Sequence, residues 1–423
     1  MKNFHFIGIG GVSMSALAVF LKHKGHFVTG SDINPNIALV GIDTAEKNKF
    51  ANIEKADYVV TTGAILEDDE SIVFAKKLGK KIVPRARLLG EIAKGFENVI
   101  AVSGTHGKTT TTAMLAEIFI AAGLEPTVHI GGISNKFKSN FLCGEKQFFI
   151  TEACEYTNSF LALSPTVGVV LNVQPEHLDF FGTFENEMQS FLKFAGQSQM
   201  VVAPKGFGAN AITFGKGGHF CAKNVRKTKN GFAFDVCKNG QRVFRLRLNS
   251  FIKKNIENAL AACAVCDVFG VAPRHIQSAL SNFCGVKLRA QVVCHAPRVI
   301  IDYAHHPAEI AAVIKSARAR FGEKVLAVFQ PHTFSRTRAF FGAFVDALCL
   351  ADEVAILPTF AARENAIAGA DAHNLFLAIR GRRPARFFPT HNAARDFVLG
   401  QRGQTVLVLG AGNFSQNFFE NMS

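Results

Sequence analysis

The chain has no apolar run of about eighteen residues free of charges and chain breakers, so no transmembrane helix is expected in it. It has no block of five Lys/Arg and no basic stripe interleaved with aromatics, which leaves a nucleic-acid face unmarked. Acids are the scarcer charge, 33 Asp+Glu against 47 Lys+Arg, and the net +14 suits either nucleic acid or small polyanions as partners. Paired thiols are lacking too. Nine cysteines, an odd number, are scattered through apolar segments, which fits reduced thiols and a cytoplasmic protein. Cys263 and Cys266 form a CxxC inside the Ala-rich run ALAACAVC, where packing of small residues accounts for them and no second Cys/His pair stands at ligand spacing. The start, MKNFHFIGIGGVSMSALAVF, carries Gly8, Gly10 and Gly11 where a signal peptide needs an unbroken apolar core. What remains is a globular composition, 48% hydrophobic and 19% charged over 423 residues. That length suffices for about two to four domains.

One stretch organises the rest: Ala101 to Met114, AVSGTHGKTTTTAM. It reads as a strand (Asn98 to Val102) running through Gly104-Thr105-His106-Gly107 into a helix. Backbone N–H groups at such a helix start, at the positive end of its dipole, favour phosphate. Lys108 adds a point charge for the β- and γ-phosphates, and Thr109 a hydroxyl able to ligate Mg²⁺. The strict P-loop pattern has Gly where Val102 stands, so only the GKT half is met. The reading is a site for ATP or GTP.

A second glycine-rich turn lies near the start. FHFIGI (4–9) is a short strand that passes through Gly8, Gly10 and Gly11 into an apolar-periodic helix ending at Gly25; a strand over His26–Ser31 follows, with Asp32 just after it. This is the layout of a dinucleotide fingerprint, with an acid near a ribose. Ser13 replaces its third Gly, so a ligand-free α/β turn is the alternative. DYVVTTGAI (57–65) and KKIVPRARLLGEIAKG (80–95) continue the βα rhythm into a small doubly wound domain.

Two later stretches end strands in polar groups, where open α/β sheets gather ligands. QFFITEACE delivers Glu152, with Glu155 beyond it; VGVVLNVQPEHLDFFG delivers Asn172, Glu176, His177 and Asp179. Thr109 and Glu152 are a sufficient oxygen pair for Mg²⁺. His177 would join a second metal site or orient a phosphate, unless it is a solvated loop residue. Residues 200–250 read as a small side sheet (GFAFDV, RVFRLRL), followed by a helix, KKNIENALAACAVCDVFG. From about 292 the βα rhythm of a parallel sheet returns, with clusters at two strand ends, DYAHHP (302–307) and QPHTFSRT (330–337). Adjacent histidines suggest zinc, but the HxxxH spacing is missing and neighbours point differently off an irregular backbone. Contact with a nucleotide or an anionic substrate fits better, with Arg336 as a bidentate clamp.

Taken in order, GIGGVSMSALA, GSD (30–32), GTHGKTTTTAM, EACEYTNSFL, LNVQPEHLDFF, NFCGVKLR, DYAHHPAEI, FQPHTFSRTR, IAGAD (367–371) and LGAG (409–412) resemble the Mur ligase family across almost the whole chain. The resemblance implies an α/β fold of three domains. These are a Rossmann-like N-terminal domain that binds the UDP-sugar (1–95), a P-loop ATPase-type central domain that binds ATP (96–291), and a Rossmann-like C-terminal domain (292–423) that closes over the amino acid. It implies a cytoplasmic ligase of peptidoglycan precursor synthesis acting on UDP-N-acetylmuramate, ATP and L-alanine through an acyl phosphate, with Mg²⁺ as cofactor and ATP as co-substrate. No nucleic acid and no membrane insertion belong to that picture, and the chain would be a monomer or weak homodimer.

The resemblance also assigns residues. Gly104, Thr105, His106, Gly107, Lys108, Thr109 and Thr110 would hold the ATP phosphates, and Asn255 and Arg289 would approach the adenine and phosphates. Asp302 would meet the ribose. Thr109, Glu152 and His177 would hold metal. Gly8, Gly10, Gly11, Val12, Ser13, Asp32, Thr61 and Thr62 would hold the UDP part. Tyr303, His305, His332 and Arg336 would form the alanine pocket. Lys108, Glu152, His177 and Arg336 would carry catalysis. Lys254 stands where the family has His, and Leu288 where it has Arg, which touches the adenine contacts; trimmed loops are expected in 200–250. Lys193 is the one nearby candidate for a carbamylated lysine and is not assigned that role. The nearest alternative is the ligase that reattaches a recycled tripeptide to the same sugar nucleotide. A nicotinamide-dependent dehydrogenase leaves the GKT turn unexplained, and a nucleic-acid ATPase rests on charge alone.

Overall fold

Strands rich in Val, Ile and Phe alternate with apolar-periodic helices and build three sheets in this computed structural model, which describes residues 1–34, 37, 39–208, 210–362 and 364–418; the side chain of Asp179 lies outside the described part. The chain divides into two compact units, residues 1–226 with 233–248 and 257–284, and residues 227–232, 249–256 and 285–423.

The first unit holds two sheets. In the smaller, β1 (Asn3–Ile7), β2 (Phe27–Ser31), β3 (Tyr58–Thr61) and β4 (Lys81–Pro84) are all parallel, in the order β2-β1-β3-β4. The strand order reverses between β1 and β3, so the turn after β1 and the Thr61-Thr62 end of β3 flank a switch-point crevice, where such sheets bind ligands. The larger sheet has ten strands: β5 (Asn98–Ser103), β6 (Thr127–His129), β7 (Phe141–Leu142), β8 (Phe148–Glu152), β9 (Val167–Val170), β10 (Met200–Pro204), β11 (Ile212–Phe214), β12 (Phe220–Thr228), β13 (Gly231–Lys238) and β14 (Gln241–Leu248). Their order is β14-β13-β12-β11-β10-β9-β5-β8-β6-β7. This corrects the expectation of a separate side sheet over 200–250. Those strands continue the central one, because β10 pairs parallel with β9 (Val202↔Val169) and β11 with β10, leaving no free edge between them.

The helix Lys108–Ala121 after β5 buries nearly its whole length, with Leu115, Ile118 and Phe119 at 0% exposure. Each such side chain contributes about 1.5–3 kcal/mol by leaving water. One core runs under both sheets of this unit, from Phe6, Leu17 and Phe20 through Leu88 and Ile92 to Phe149, Phe160 and Phe194. The helix Arg85–Ala93 reaches the second sheet's domain so closely that a Cβ on Gly90 would stand 2.2 Å from the carbonyl oxygen of Ala162. An Ala there must push the two backbones apart.

The second unit carries β15 (Gln291–His295), β16 (Arg298–Asp302), β17 (Lys324–Phe329), β18 (Glu353–Ile356), β19 (Ala385–Phe387) and β20 (Gln404–Leu409), ordered β15-β16-β20-β17-β18-β19. Among the described residues β15 pairs antiparallel with β16, and the other pairings of this sheet are parallel. Helices including Pro307–Phe321 and Ala372–Arg380 cover it with buried apolar faces. Among the described residues no helix is long and apolar enough to cross a membrane.

Candidate active site

β5 lies inside its sheet and pairs with β8 on one side and β9 on the other. Register sets Glu152 level with Val102, and Val170 level with Ser103. The turn Gly104–Gly107 is therefore flanked by the ends of both neighbours. It takes conformations open to glycine, with φ of 131° at Gly104 and 91° at Gly107. Space is as tight as torsion: a Cβ on Gly107 would lie 2.8 Å from Asn258 Oδ1.

The turn is fastened to β9's extension. Thr105 N donates to Asn172 O (3.0 Å), His106 N donates to Asn172 Oδ1 (3.0 Å), and Asn172 Nδ2 donates back to His106 O (2.8 Å). The Thr105 hydroxyl takes up Gln174 N at 2.9 Å. Thr105 and His106 thus commit their amides to shaping the turn, and the amides at the start of the helix, from Lys108 on, are those left without an intrahelical acceptor.

The Lys108 ammonium folds over the turn, donating to Gly104 O (2.6 Å), Thr105 O (3.1 Å) and Glu155 Oε1 (3.0 Å). Burial opposes its charge, but the Glu155 carboxylate, with Cys154 and Glu152 further off, outweighs that and holds Lys108 above its ordinary pKa. Glu155 is almost wholly buried and also lies 3.9 Å from His177 Nε2. His177 sits at a left-handed position (φ 53°), with its ring against Tyr156 at 4.5 Å between centroids. Glu155 therefore reaches both Lys108 and His177, a role the sequence pattern does not assign to it. Nothing in EACE distinguishes Glu155 from Glu152; only the turn after β8 does. Glu152 accepts from Gly131 N, and a Cβ on Gly131 would stand 2.7 Å from Glu152 Oε2. Behind them Glu187, fully buried on the helix Phe184–Gly196, accepts from Glu176 N (3.1 Å), and burial pushes its carboxyl up to about 7.

At the first turn, Gly8 has φ 78° and packs beside Thr62 and Ile65. Asp32 Oδ2 accepts from Gly10 N (2.9 Å) and Oδ1 from Asn34 N (3.0 Å), so the acid latches the turn. A Cβ on Gly10 would meet both Ile37 and that carboxylate. Val12 stands exposed at the head of the helix Val12–His23, whereas the Ser13 hydroxyl is taken by His129 Nε2 at 2.8 Å and by Arg85.

In the second unit, Asp302 ends β16 with both oxygens on backbone: Oδ1 accepts from Ala304 N and Oδ2 from Ala290 N, each at 2.7 Å. Burial pushes it up to about 6, against the pull of Arg289, and the Arg289 guanidinium lies 4.7 Å from the Tyr303 ring. His305 meets Tyr303 and His332 edge-on, His332 stacks on Phe360, and Arg336 Nη1 donates to His332 O (3.2 Å). Tyr303, His305, His332 and Arg336 thus come together. Burial lowers the His332 pKa, with Arg336 adding to the effect. The adjacent histidines diverge, since His306 turns to Phe340 and caps the helix Pro307–Phe321 by accepting from Ala308 N. Asn255 opens the helix Asn255–Val268 and donates to Ser250 Oγ at 2.7 Å.

Known proteins place these features in a family. Residues 3–97 match the Mur ligase family catalytic domain, 102–266 the Mur ligase middle domain, and 288–412 the Mur ligase glutamate ligase domain. A UDP-N-acetylmuramate–L-alanine ligase of Caldicellulosiruptor saccharolyticus is 36% identical, covering 98% of this chain and 97% of its own length. One of Acetivibrio thermocellus is also 36% identical, over 97% and 94%. The crystal structure of a UDP-N-acetylmuramate–alanine ligase from Thermotoga maritima superposes with a TM-score of 0.84 at 27% identity, covering 100% of this chain and 99% of the other. With relatives more than a third identical along nearly the whole sequence, and three family domains matched in order, the chain belongs to the Mur ligase family.

Proposed function

We propose that this chain is an ATP-dependent ligase that joins L-alanine to the muramate carboxylate of UDP-N-acetylmuramate, a step of peptidoglycan precursor synthesis in the cytoplasm. The observation that carries the reading is full-length similarity to relatives bearing that activity in their names. The Lys108 turn, flanked by Glu152, Glu155 and His177, supports it. The residue ranges 1–95, 96–291 and 292–423 would serve UDP-sugar, ATP and amino acid respectively.

In the reaction a carboxylate oxygen of the muramate attacks the γ-phosphorus of ATP, the β–γ bridge breaks, and ADP leaves. The alanine amine then attacks the acyl carbon, and inorganic phosphate departs. Phosphoryl transfer asks the protein mainly for position and charge. Lys108, already above its ordinary pKa, brings a positive charge to the transferred group. Glu155 bonds that single ammonium, and the charge of Glu152 adds to the same field. This excess of hard oxygen charge fits a divalent cation beside a polyanion, and Thr109, Glu152 and His177 would hold Mg²⁺. Bound there, Mg²⁺ neutralises charge on the phosphates. Arg336 would grip the alanine carboxylate, with Tyr303, His305 and His332 around it, and Asp302 braces the loop that presents Arg289.

Phosphate release that needs both UDP-N-acetylmuramate and an amino acid is the expected result. ADP release proceeding equally well without the UDP-sugar would sink the assignment. The tripeptide-recycling alternative has a structural relative, a murein peptide ligase from Psychrobacter arcticus, whose TM-score of 0.71 at 20% identity speaks for the fold alone. Turnover with alanine against tripeptide separates the two.

A further inference from the structure

The glycine turn Gly8–Ser13 contains no cation, although a UDP-sugar brings two phosphates and, in the muramate, a carboxylate. A cation comes to it from elsewhere in the chain. Arg85 opens the helix after β4, and its place at the sheet edge follows from the pairing of Pro84 with Thr61. Its Nη1 donates to Ser13 Oγ at 3.0 Å. From there a polar chain runs inward: Ser13 Oγ to His129 Nε2 (2.8 Å), His129 Nδ1 to Thr151 Oγ1 (2.9 Å), and Thr151 Oγ1 to the carbonyl of Glu152 (3.0 Å). Its two ends fix its direction. A guanidinium only donates and a carbonyl only accepts, so Ser13 donates to Nε2 and the imidazole donates from Nδ1. His129 is buried, and burial together with the Arg85 charge pushes it down to about 3, so the ring stays neutral.

Arg85 is thus oriented by neutral groups. Among the described residues no carboxylate pairs with it, whereas Arg298, Arg318, Arg382 and Arg386 each have one. A part-buried guanidinium fixed through one nitrogen and lacking a counter-acid presents the rest of its planar fork to an incoming anion.

We propose that Arg85 is an anion-binding residue of the UDP-sugar site, taking the diphosphate or the lactyl carboxylate of UDP-N-acetylmuramate, with Ser13 and His129 as its positioning residues. This deepens the function proposed above and rests on it. The test is calorimetric titration of the full chain, without ATP or amino acid, using UDP-N-acetylmuramate and UDP-N-acetylglucosamine, which keeps the diphosphate but lacks the carboxylate. Arg85→Ala should raise the muramate Kd about 10- to 100-fold, the usual effect of losing a hydrogen bond to a charged group. Arg85→Lys, which keeps the charge without the fork, should recover part of it and serves if the alanine variant does not fold. Equal weakening for both sugars assigns the diphosphate; weakening confined to the muramate assigns the carboxylate. Ser13→Ala should weaken binding in the parent background and add nothing to Arg85→Ala, a dependence that a purely structural serine would not show. Unchanged affinity of folded Arg85→Ala for both sugars overturns the proposal. A parent protein that binds neither sugar overturns the functional reading beneath it instead.

Discussion

Two glycine turns follow parallel strands in the first unit, and they meet the same demand by opposite means. At Gly104–Thr109 the charge is local: Lys108 is part of the turn, its counter-acid Glu155 comes from beyond the end of the neighbouring β8, and the acid is buried with the lysine part-buried. At Gly8–Ser13 the turn is uncharged, its shape is held by the Asp32 carboxylate on Gly10 N, and the cation Arg85 arrives from 72 residues away. A lysine within a turn is a point charge that moves with the phosphate it meets. An arginine on a separate helix offers a fixed planar fork. The difference suits a reacting phosphoryl group at one turn and a ligand that is only held at the other.

Breaking the buried pair should have the largest effect. Glu155→Ala leaves the Lys108 ammonium without its carboxylate, and a loss of about 3–5 kcal/mol in unfolding free energy is expected, read from urea midpoints. A loss below about 1 kcal/mol would mean the pair is solvated in solution and the contrast with the first turn is false. Next comes Lys108→Ala. It should remove about 2–4 kcal/mol of transition-state stabilisation from ligation. Affinity for UDP-N-acetylmuramate should hardly change if, as proposed, that ligand is held at the other turn; parallel loss of both would merge the two sites.

Asp32→Ala tests the latch. Two amide-to-carboxylate bonds disappear, yet Asp32 is only part-buried, so about 1–2 kcal/mol is expected, seen in UDP-sugar affinity rather than in phosphate release at saturation. The last effect concerns pH. The helix after the lysine turn buries Glu117, whose carboxyl burial pushes up from 4.5 to about 7, while the helix after the first turn buries no acid. A raised folded-state pKa favours the protonated form. Glu117 therefore supports the fold fully below pH 4.5, and that support is lost as pH rises toward 7. Glu117→Gln should flatten the fall in thermal midpoint across that window. A variant as pH-sensitive as the parent would assign the slope to other groups.

The two turns also differ in how far they can be read without coordinates. GTHGKTT states its chemistry in adjacent residues, and Lys108, with Glu152 and His177 at two neighbouring strand ends, is where local pattern predicts it. The first turn is only half legible. Gly8, Gly10 and Asp32 follow a recognisable spacing, but Arg85 sits inside PRARLLGEI with no local mark to separate it from Arg87. The side sheet expected over 200–250 failed for a related reason. Hairpin-forming strands look alike whether they stand alone or extend a larger sheet, and the choice rests with the edge they find. His305 and His306 diverge as their adjacency implies, because chain geometry at neighbouring residues is a local matter.

The sequence by itself determined the alternation of strands and helices, the positions of the glycine turns and the residues that stand at strand ends, since these depend on torsion, periodicity and neighbours along the chain. Only the tertiary structure decided which acid bonds Lys108, which arginine reaches the Ser13 hydroxyl, and that His129 is a neutral link between Ser13 and Thr151. Each of those choices depends on groups distant in sequence competing for one buried charge or one hydroxyl, and burial settles such contests after the sheets have closed.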